Sequence, residues 1–484
     1  MQNSKLLKLL QTFDQSTITR WRQFAHSPYH NKHQDVQTLC DYLHQVYPKL
    51  EGKKVERKQL FLKVWGKNIP FNQNKINVLF SYTLSVTEDF LVHERFQQET
   101  DAQHIHLLEQ LRQRQQQQRY KHHLQKIEEY WQKAPVRNRD YYHFQFRLAV
   151  EKDSYYNQLS QHSDQSIQQK QDSLDIFYLS EKLRDACEMS LRNQLLQVDY
   201  SVHLLEAILT EIRQHPEKYQ TIPSIMVYFQ IYQMITQQDS TFYFELIQVL
   251  QKHLTAFPKE ELRSIYAYAQ NYCIGQINKG EDTFLGELFE LYKTQLQNDL
   301  LLEKGHLSEW HYKNIVTVGL RLKAFEWVAD FIEVYKEKLS EQSRENAYRF
   351  NKATYCYAVE QYDEVLQLLL TVEYSDIRYS LDAKSLLLKS YYDLKEHQTL
   401  YALCDAFRQY LKRNKEISDF RKEGYYNLLK FTQKAARIQA EIGFEARDKL
   451  KDEVIKLQEE IAATQTIFNV GWLESRVEIL VSIT

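Results

Sequence analysis

Between Gly66 and Gly275 the chain has no glycine, and after Pro258 it has no proline. Ten glycines and seven prolines serve all 484 residues. Strand-rich folds need a turn every ten or so residues, and α/β folds need one at most strand–helix junctions. A stretch of about two hundred residues without glycine excludes both. It also excludes a glycine-rich phosphate-cradling loop over that span, and neither G-x-G-x-x-G nor a P-loop occurs elsewhere. H-E-x-x-H and G-x-S-x-G are missing too. The five cysteines (Cys40, Cys187, Cys273, Cys356 and Cys404) stand far apart with no C-x-x-C pair, so neither a zinc-site spacing nor a disulfide framework is present. They read as buried thiols in a reducing compartment. No apolar run approaches eighteen residues, and the opening MQNSKLLKLLQTFDQST is too short and too interrupted for a signal peptide. The expected location is the cytoplasm, with no membrane partner.

What is present points one way. Hydrophobic residues make up 43% of the chain, which suits a folded protein. About fifty glutamines, with abundant Leu, Lys and Glu, favour helix through their intrinsic propensities. The expected fold class is all-α. Net charge is −2 but unevenly spread, with 23 Lys/Arg against 14 Asp/Glu in residues 1–150 and the excess reversed beyond. That asymmetry hints at different roles for the two ends.

Helix punctuation organises the first part. One helix runs through TITRWRQFAH to Ser27-Pro28, and a second opens near a capping Asn31 and ends at Pro48. A third, ERKQLFLKVW, closes at Gly66 and Pro70, and a fourth begins after Asn72. Residues 101–133 read as one long polar helix, followed by helices near 138–160 and 165–197. From about residue 200 helix pairs recur, and Phe242, Phe284, Phe325 and Tyr362 mark the second helix of each, with His397 one step further. The spacings of 42, 41, 37 and 35 residues are those of an α-solenoid, in which stacked antiparallel pairs bury a shared core. The four aromatic markers should then be mostly buried. The expected organisation is a helical head (1–100), a long-helix connector (101–200), a repeat array (201–440) and capping helices (441–484).

The segment AYRFNKATYCYAVEQYDEVLQLLL (347–370) resembles a tetratricopeptide repeat. Ala353 stands where that family takes a small residue, and Tyr362-Asp363-Glu364 matches the usual opening of the second helix. Val365 replaces the usual alanine, and no proline closes the unit. At the N-terminus, Phe24, Ser27, Pro28, Tyr29, Asn31 and Lys32 resemble the opening of a group of uncharacterised helical proteins from Bacteroidota. NVGWLESRVEIL, with Trp472-Leu473, is similar to the way that group ends. The resemblance implies a helical fold and a cytoplasmic setting, and no activity.

Two stretches invite a functional reading. His26, His30 and His33 fall within eight positions, but Pro28 breaks the helix that would align them as metal ligands. The stretch reads as a packed helix corner, and no metal or other cofactor is expected. In 109–147, Arg112, Arg114, Arg119, Lys121, Lys126, Lys133, Arg137 and Arg139 precede Tyr141, Tyr142, Phe144 and Phe146. Cations neutralise phosphates and exposed rings stack on unpaired bases, so this segment is the candidate nucleic-acid contact. Glu128, Glu129 and Asp140 dilute its charge. No catalytic residue is nominated. The leading expectation is a non-catalytic scaffold holding a protein or peptide partner in a helical-repeat groove; the alternative is a nucleic-acid-associated factor.

Overall fold

The computed structural model describes residues 4–159, 164–196, 198–370 and 376–483. The expected helix limits at 160 and 197 fall outside these residues. The chain is all-α, and among the described residues 24 α-helices are joined by a single two-stranded hairpin, Leu302–Glu303 with His306–Leu307. None of these helices is long and apolar enough to cross a membrane. The chain divides into two compact units, Met1–Asp185 with Val202–Ile225, and Ala186–Ser201 with Met226–Thr484.

The first unit begins with α1 (Lys5–Leu10), α2 (Gln15–His26), α3 (Gln34–Val46), α4 (Arg57–Trp65) and α5 (Gln73–Gln98). Their starts follow capping chemistry. The Asp14 carboxylate accepts from Thr17 N at 2.6 Å, which holds its pKa down to about 2. Asn72 likewise accepts from Asn74 N and Lys75 N. One core joins these helices around Trp21, whose Nε1 donates to Thr87 Oγ1 at 2.9 Å. Asn31 does not cap α3, as its position suggested. It is buried between the helices, donating through Nδ2 to Ala25 O at 2.7 Å and accepting from His33 N at 2.9 Å.

The single helix expected over 101–133 is two: α6 (Thr100–Gln113) and α7 (Gln117–Lys133). Gln115 turns the chain with φ of 54°, and Gln116 N closes onto Leu111 O. The reason is packing. Ile105, Leu108 and Leu111 on α6 and Tyr120, Leu124 and Ile127 on α7 share a core with Phe144, Leu148 and Tyr155 of α8 (Arg139–Gln158). A straight helix would leave one of these stripes in water. The rest of this unit lies in α9 (Asp164–Leu196), α10 (Leu205–Gln214), α11 (Pro216–Tyr219) and α12 (Pro223–Gln237), with the unit boundary falling within α9 and α12.

The second unit continues with α13 (Ser240–His253), α14 (Lys259–Asn278), α15 (Thr283–Gln297), α16 (Glu309–Arg321), α17 (Phe325–Tyr335), α18 (Arg344–Ala358) and α19 (Tyr362–Leu369). It ends with α20 (Ile377–Asp393), α21 (His397–Arg413), α22 (Asp419–Glu441), α23 (Arg447–Ala462) and α24 (Val470–Ile483). Its broad contacts join helices adjacent or next but one in the chain, such as α16 with α18 and α18 with α20. A backbone signature recurs after α12, α14, α16, α18 and α20. Gln238, Gly280, Lys323, Glu360 and Lys395 all take positive φ, at intervals of 42, 43, 37 and 35 residues. After four of them the next N–H reaches back five residues: Glu281 to Gln276 O, Ala324 to Gly319 O, Gln361 to Cys356 O and Glu396 to Tyr391 O. This is the Schellman closure of a helix. It is the place for glycine, yet only one of the five is glycine.

The aromatic markers are not uniformly buried. Phe284 is, but Phe242, Phe325, Tyr362 and His397 are half-buried. Phe325, Tyr362 and His397 are the first residues of their helices, and side chains there lean back over the preceding turn. Full burial falls three residues later, at Val328, Val365 and Leu400.

Candidate functional site

Three helix ends in the second unit surround a cleft of about 490 Å³: Leu191 and Gln194 of α9, Met234 and Ile235 of α12, and Tyr268 to Asn278 of α14. Gln238, in its left-handed turn, donates to Ile235 O at 3.0 Å and accepts from Lys279 Nζ at 2.8 Å. The Tyr268 hydroxyl donates to Glu188 at 3.2 Å, and Arg192 holds the same carboxylate at 2.7 Å. Tyr272 is different. Its ring is parallel to Tyr243 at 5.7 Å and edge-on to Phe284, the residue is 8% exposed, and its buried hydroxyl has no hydrogen-bond partner. Burial raises its pKa, so the phenol stays protonated. One turn on, Gly275 faces open space, with no heavy atom beyond its chain neighbours and own helix backbone within 4 Å of where a Cβ would stand. Glycine in a helix interior costs roughly 1 kcal/mol relative to alanine. Packing does not require that cost here. The cleft thus combines an apolar floor, a lowered helix surface and an unspent hydroxyl, which suits an apolar side chain carried on a hydrogen-bonding backbone.

The basic segment is largely occupied with its own unit. Arg112 pairs with buried Glu151 through Nε at 2.8 Å and Nη2 at 3.0 Å. Arg114 holds the side-chain oxygen of Gln110. Arg137 donates to the backbone oxygens of Gln132, Ala134 and Val136 and lies over the Tyr141 ring. Arg139 bridges Asp140 and Glu181. Of the expected aromatics, Tyr142 and Phe144 are buried. Arg119, Lys121, Lys126 and Lys133 form no ion pair among the described residues. Arg119, Lys126 and Lys133 are seven residues apart and therefore share one face of α7, with Tyr130 between them 60% exposed. Partial burial and then the charges of His122, Lys126 and Arg119 lower the pKa of His123 on the same helix.

The three histidines face different partners. His26 Nε2 lies 2.9 Å from Asp41 Oδ1, His30 stacks on Phe24 at 4.1 Å, and His33 packs against Tyr82. Among the described residues no three His, Cys, Asp or Glu side chains gather as a metal site.

A second polar constellation lies in the C-terminal part of the second unit. Arg476 of α24 meets Asp393 of α20 through Nε at 2.6 Å and Nη2 at 3.0 Å. The Tyr357 hydroxyl donates to Asp393 at 2.6 Å and accepts from Trp472 Nε1 at 2.7 Å. Lys389 donates to Asn469 at 2.7 Å, and Trp472 is edge-on to Tyr392. Phe468 packs on Tyr425 of α22, over Gly424. Segment 468–476 therefore touches α18, α20 and α22 and covers the face they present to it.

Tyr272 and Gly275 escaped the sequence reading. Gly275 carried the one available signal, as the first glycine in some two hundred residues of helix-forming chain. The chain matches no known family model, no curated protein and no solved structure.

Proposed function

We propose that the protein is a non-catalytic, cytoplasmic interaction scaffold. Its second unit acts as a tetratricopeptide-like array, and the cleft beside Tyr272 holds an extended segment of a protein partner. The recurring left-handed turn and the neighbour-to-neighbour packing of the helix pairs support the array. The observation that carries the site is Gly275, an interior helix glycine opening onto a cleft where a buried hydroxyl lacks a partner. A peptide supplies both missing things: an apolar side chain for the floor and a carbonyl for Tyr272. Such a scaffold fits the kinship with helical Bacteroidota proteins that the two chain ends suggest. Affinity capture with wild-type chain and with Gly275→Trp, whose indole would fill the cleft, tests the reading. A partner retained by the first and lost by the second is expected; equal retention by both would reject the cleft.

A second reading rests on a separate observation, the cationic face of α7. Arg119, Lys126 and Lys133, interleaved with exposed Tyr130, form a stripe suited to a single-stranded nucleic acid. This narrows the contact set from the eight cations that the sequence offered to three, because Arg112, Arg137 and Arg139 are engaged internally, Arg114 holds Gln110, and Lys121, two residues from Arg119, lies off the stripe. Reversing the three to glutamate should abolish salt-sensitive binding of single-stranded RNA or DNA if this reading holds.

A further inference from the structure

The first unit contains a smaller cleft, of about 280 Å³, walled by Arg112, Tyr155, Gln158 and the turn Gln115–Gln117. Two of its groups are built in and unspent. The Arg112 guanidinium is fixed by Glu151, which is 4% exposed and takes Nε and Nη2, so the Nη1 edge is left over. Tyr155 is 3% exposed, lies flat on Tyr120 at 3.8 Å and 4°, and its buried hydroxyl has no hydrogen-bond partner. An unmade hydrogen bond on a buried hydroxyl is costly enough that few survive without a ligand or water to satisfy them. Burial also raises the pKa of the phenol, which makes it a donor at neutral pH.

The surrounding backbone adds to the same polarity. The left-handed Gln115 directs the turn so that three consecutive glutamines line the mouth of the cleft. There α7, seventeen residues long, begins without a side-chain cap, and the positive end of a helix dipole favours negative charge. Glu151, the nearby carboxylate, is already neutralised by Arg112.

We propose that this cleft binds a small oxyanion, a carboxylate or a phosphate, received by the free edge of Arg112 and the Tyr155 hydroxyl beside the start of α7. Both sources share the chemistry of a planar or tetrahedral group of acceptor oxygens, and the guanidinium suits either. The site is independent of the partner cleft in the other unit and of the cationic face of α7.

Calorimetric titration of the full chain at fixed ionic strength tests this, with phosphate, pyrophosphate, acetate and succinate as probes and chloride as the control. Saturable binding of one anion per chain is expected, and the better class of probe identifies the source. Tyr155→Phe keeps the stacked ring and removes only the donor, so it should weaken binding at least about tenfold, as for a lost hydrogen bond to a charged group. Arg112→Ala would strand Glu151 and endanger folding, so the phenylalanine variant, checked by circular dichroism, carries the test. Anion binding no stronger than that of chloride would overturn the proposal. So would a Tyr155→Phe chain that binds like wild type, since the hydroxyl would then be satisfied by water alone.

Discussion

Tyr357 of α18 and Tyr272 of α14 both lie in the second unit, and their hydroxyls meet opposite fates. That of Tyr357 is saturated, accepting a hydrogen bond from Trp472 Nε1 and donating one to Asp393, which Arg476 also holds. That of Tyr272 is buried and makes no well-formed hydrogen bond, with Gln276 the side chain it faces. In one place the chain covers its own helices with segment 468–476 and ties Tyr357, Trp472, Asp393 and Arg476 into one network, leaving only the Tyr392 hydroxyl and Arg476 Nε there without a hydrogen bond; in the other it leaves polar capacity open beside an apolar floor. Satisfied buried networks specify a structure, whereas unsatisfied groups mark where something else belongs. The comparison thus separates a closed corner from an open cleft within one helical design.

The closed corner is where the contrast breaks most readily. Asp393→Ala removes the acceptor of Tyr357 and leaves the largely buried Arg476 without its counter-ion. Breaking such a pair from one side should cost about 3–5 kcal/mol. Urea unfolding monitored by far-UV circular dichroism reads the loss directly. A cost below about 1 kcal/mol, the level of a surface pair, would mean that α24 merely rests on α20 and that the corner is not closed.

A pair of glycine substitutions sharpens the same comparison at smaller scale. A Cβ on Gly424 would stand 2.5 Å from the Phe468 ring, so Gly424→Ala should destabilise by about 1–3 kcal/mol as the ring is forced aside. The Cβ of Gly275→Ala meets nothing within 4 Å, so that variant should instead gain about 0.5–1 kcal/mol from helix propensity. Opposite signs in matched unfolding curves are the expected result. A destabilised Gly275→Ala would show that the cleft closes in solution.

How much of this was legible in the sequence varied with the distance over which the cause acts. Helix class, the breaks at Ser27-Pro28 and Gly66, and the cap at Asn72 follow from local rules, and the structure agrees with them. The turn at Gln115 was not legible, because nothing local distinguishes a glutamine in left-handed backbone from one in a helix; the facing apolar stripes of α6 and α7 decide it. The same blindness hid Lys323, Glu360 and Lys395, ordinary residues at positions that favour glycine. Of the aromatic markers, Phe284 is buried as expected, but Phe325, Tyr362 and His397 stand at helix starts and full burial falls three residues later, at Val328, Val365 and Leu400. Arg112 looked like a free cation until Glu151, 39 residues away, was seen beside it. Tyr272 could not have been selected from 34 tyrosines by any local rule.

An effect of similar size is a pH dependence lodged in the closed corner. The Lys389 ammonium sits by Asn469 and the Trp472 ring, and burial, with Arg476 acting in the same direction, lowers its pKa from 10.5 to about 8. Asp382 and Asp393 oppose the shift without cancelling it. The unfolded chain keeps this proton up to about pH 10.5, whereas the folded chain releases it near pH 8. Over that interval the unfolded state binds more protons, so Lys389 penalises folding below about pH 8 and the penalty is relieved as pH rises. Tyrosine and cysteine ionisation also enters there, and Lys389→Met cancels it by carrying the same background. Wild type should therefore gain on Lys389→Met between about pH 8 and 10, by on the order of 1 kcal/mol, a figure reduced because the lysine keeps part of its surface in water. Parallel stability–pH curves for the two chains would place the ammonium in bulk solvent and the edge of the closed corner short of Lys389.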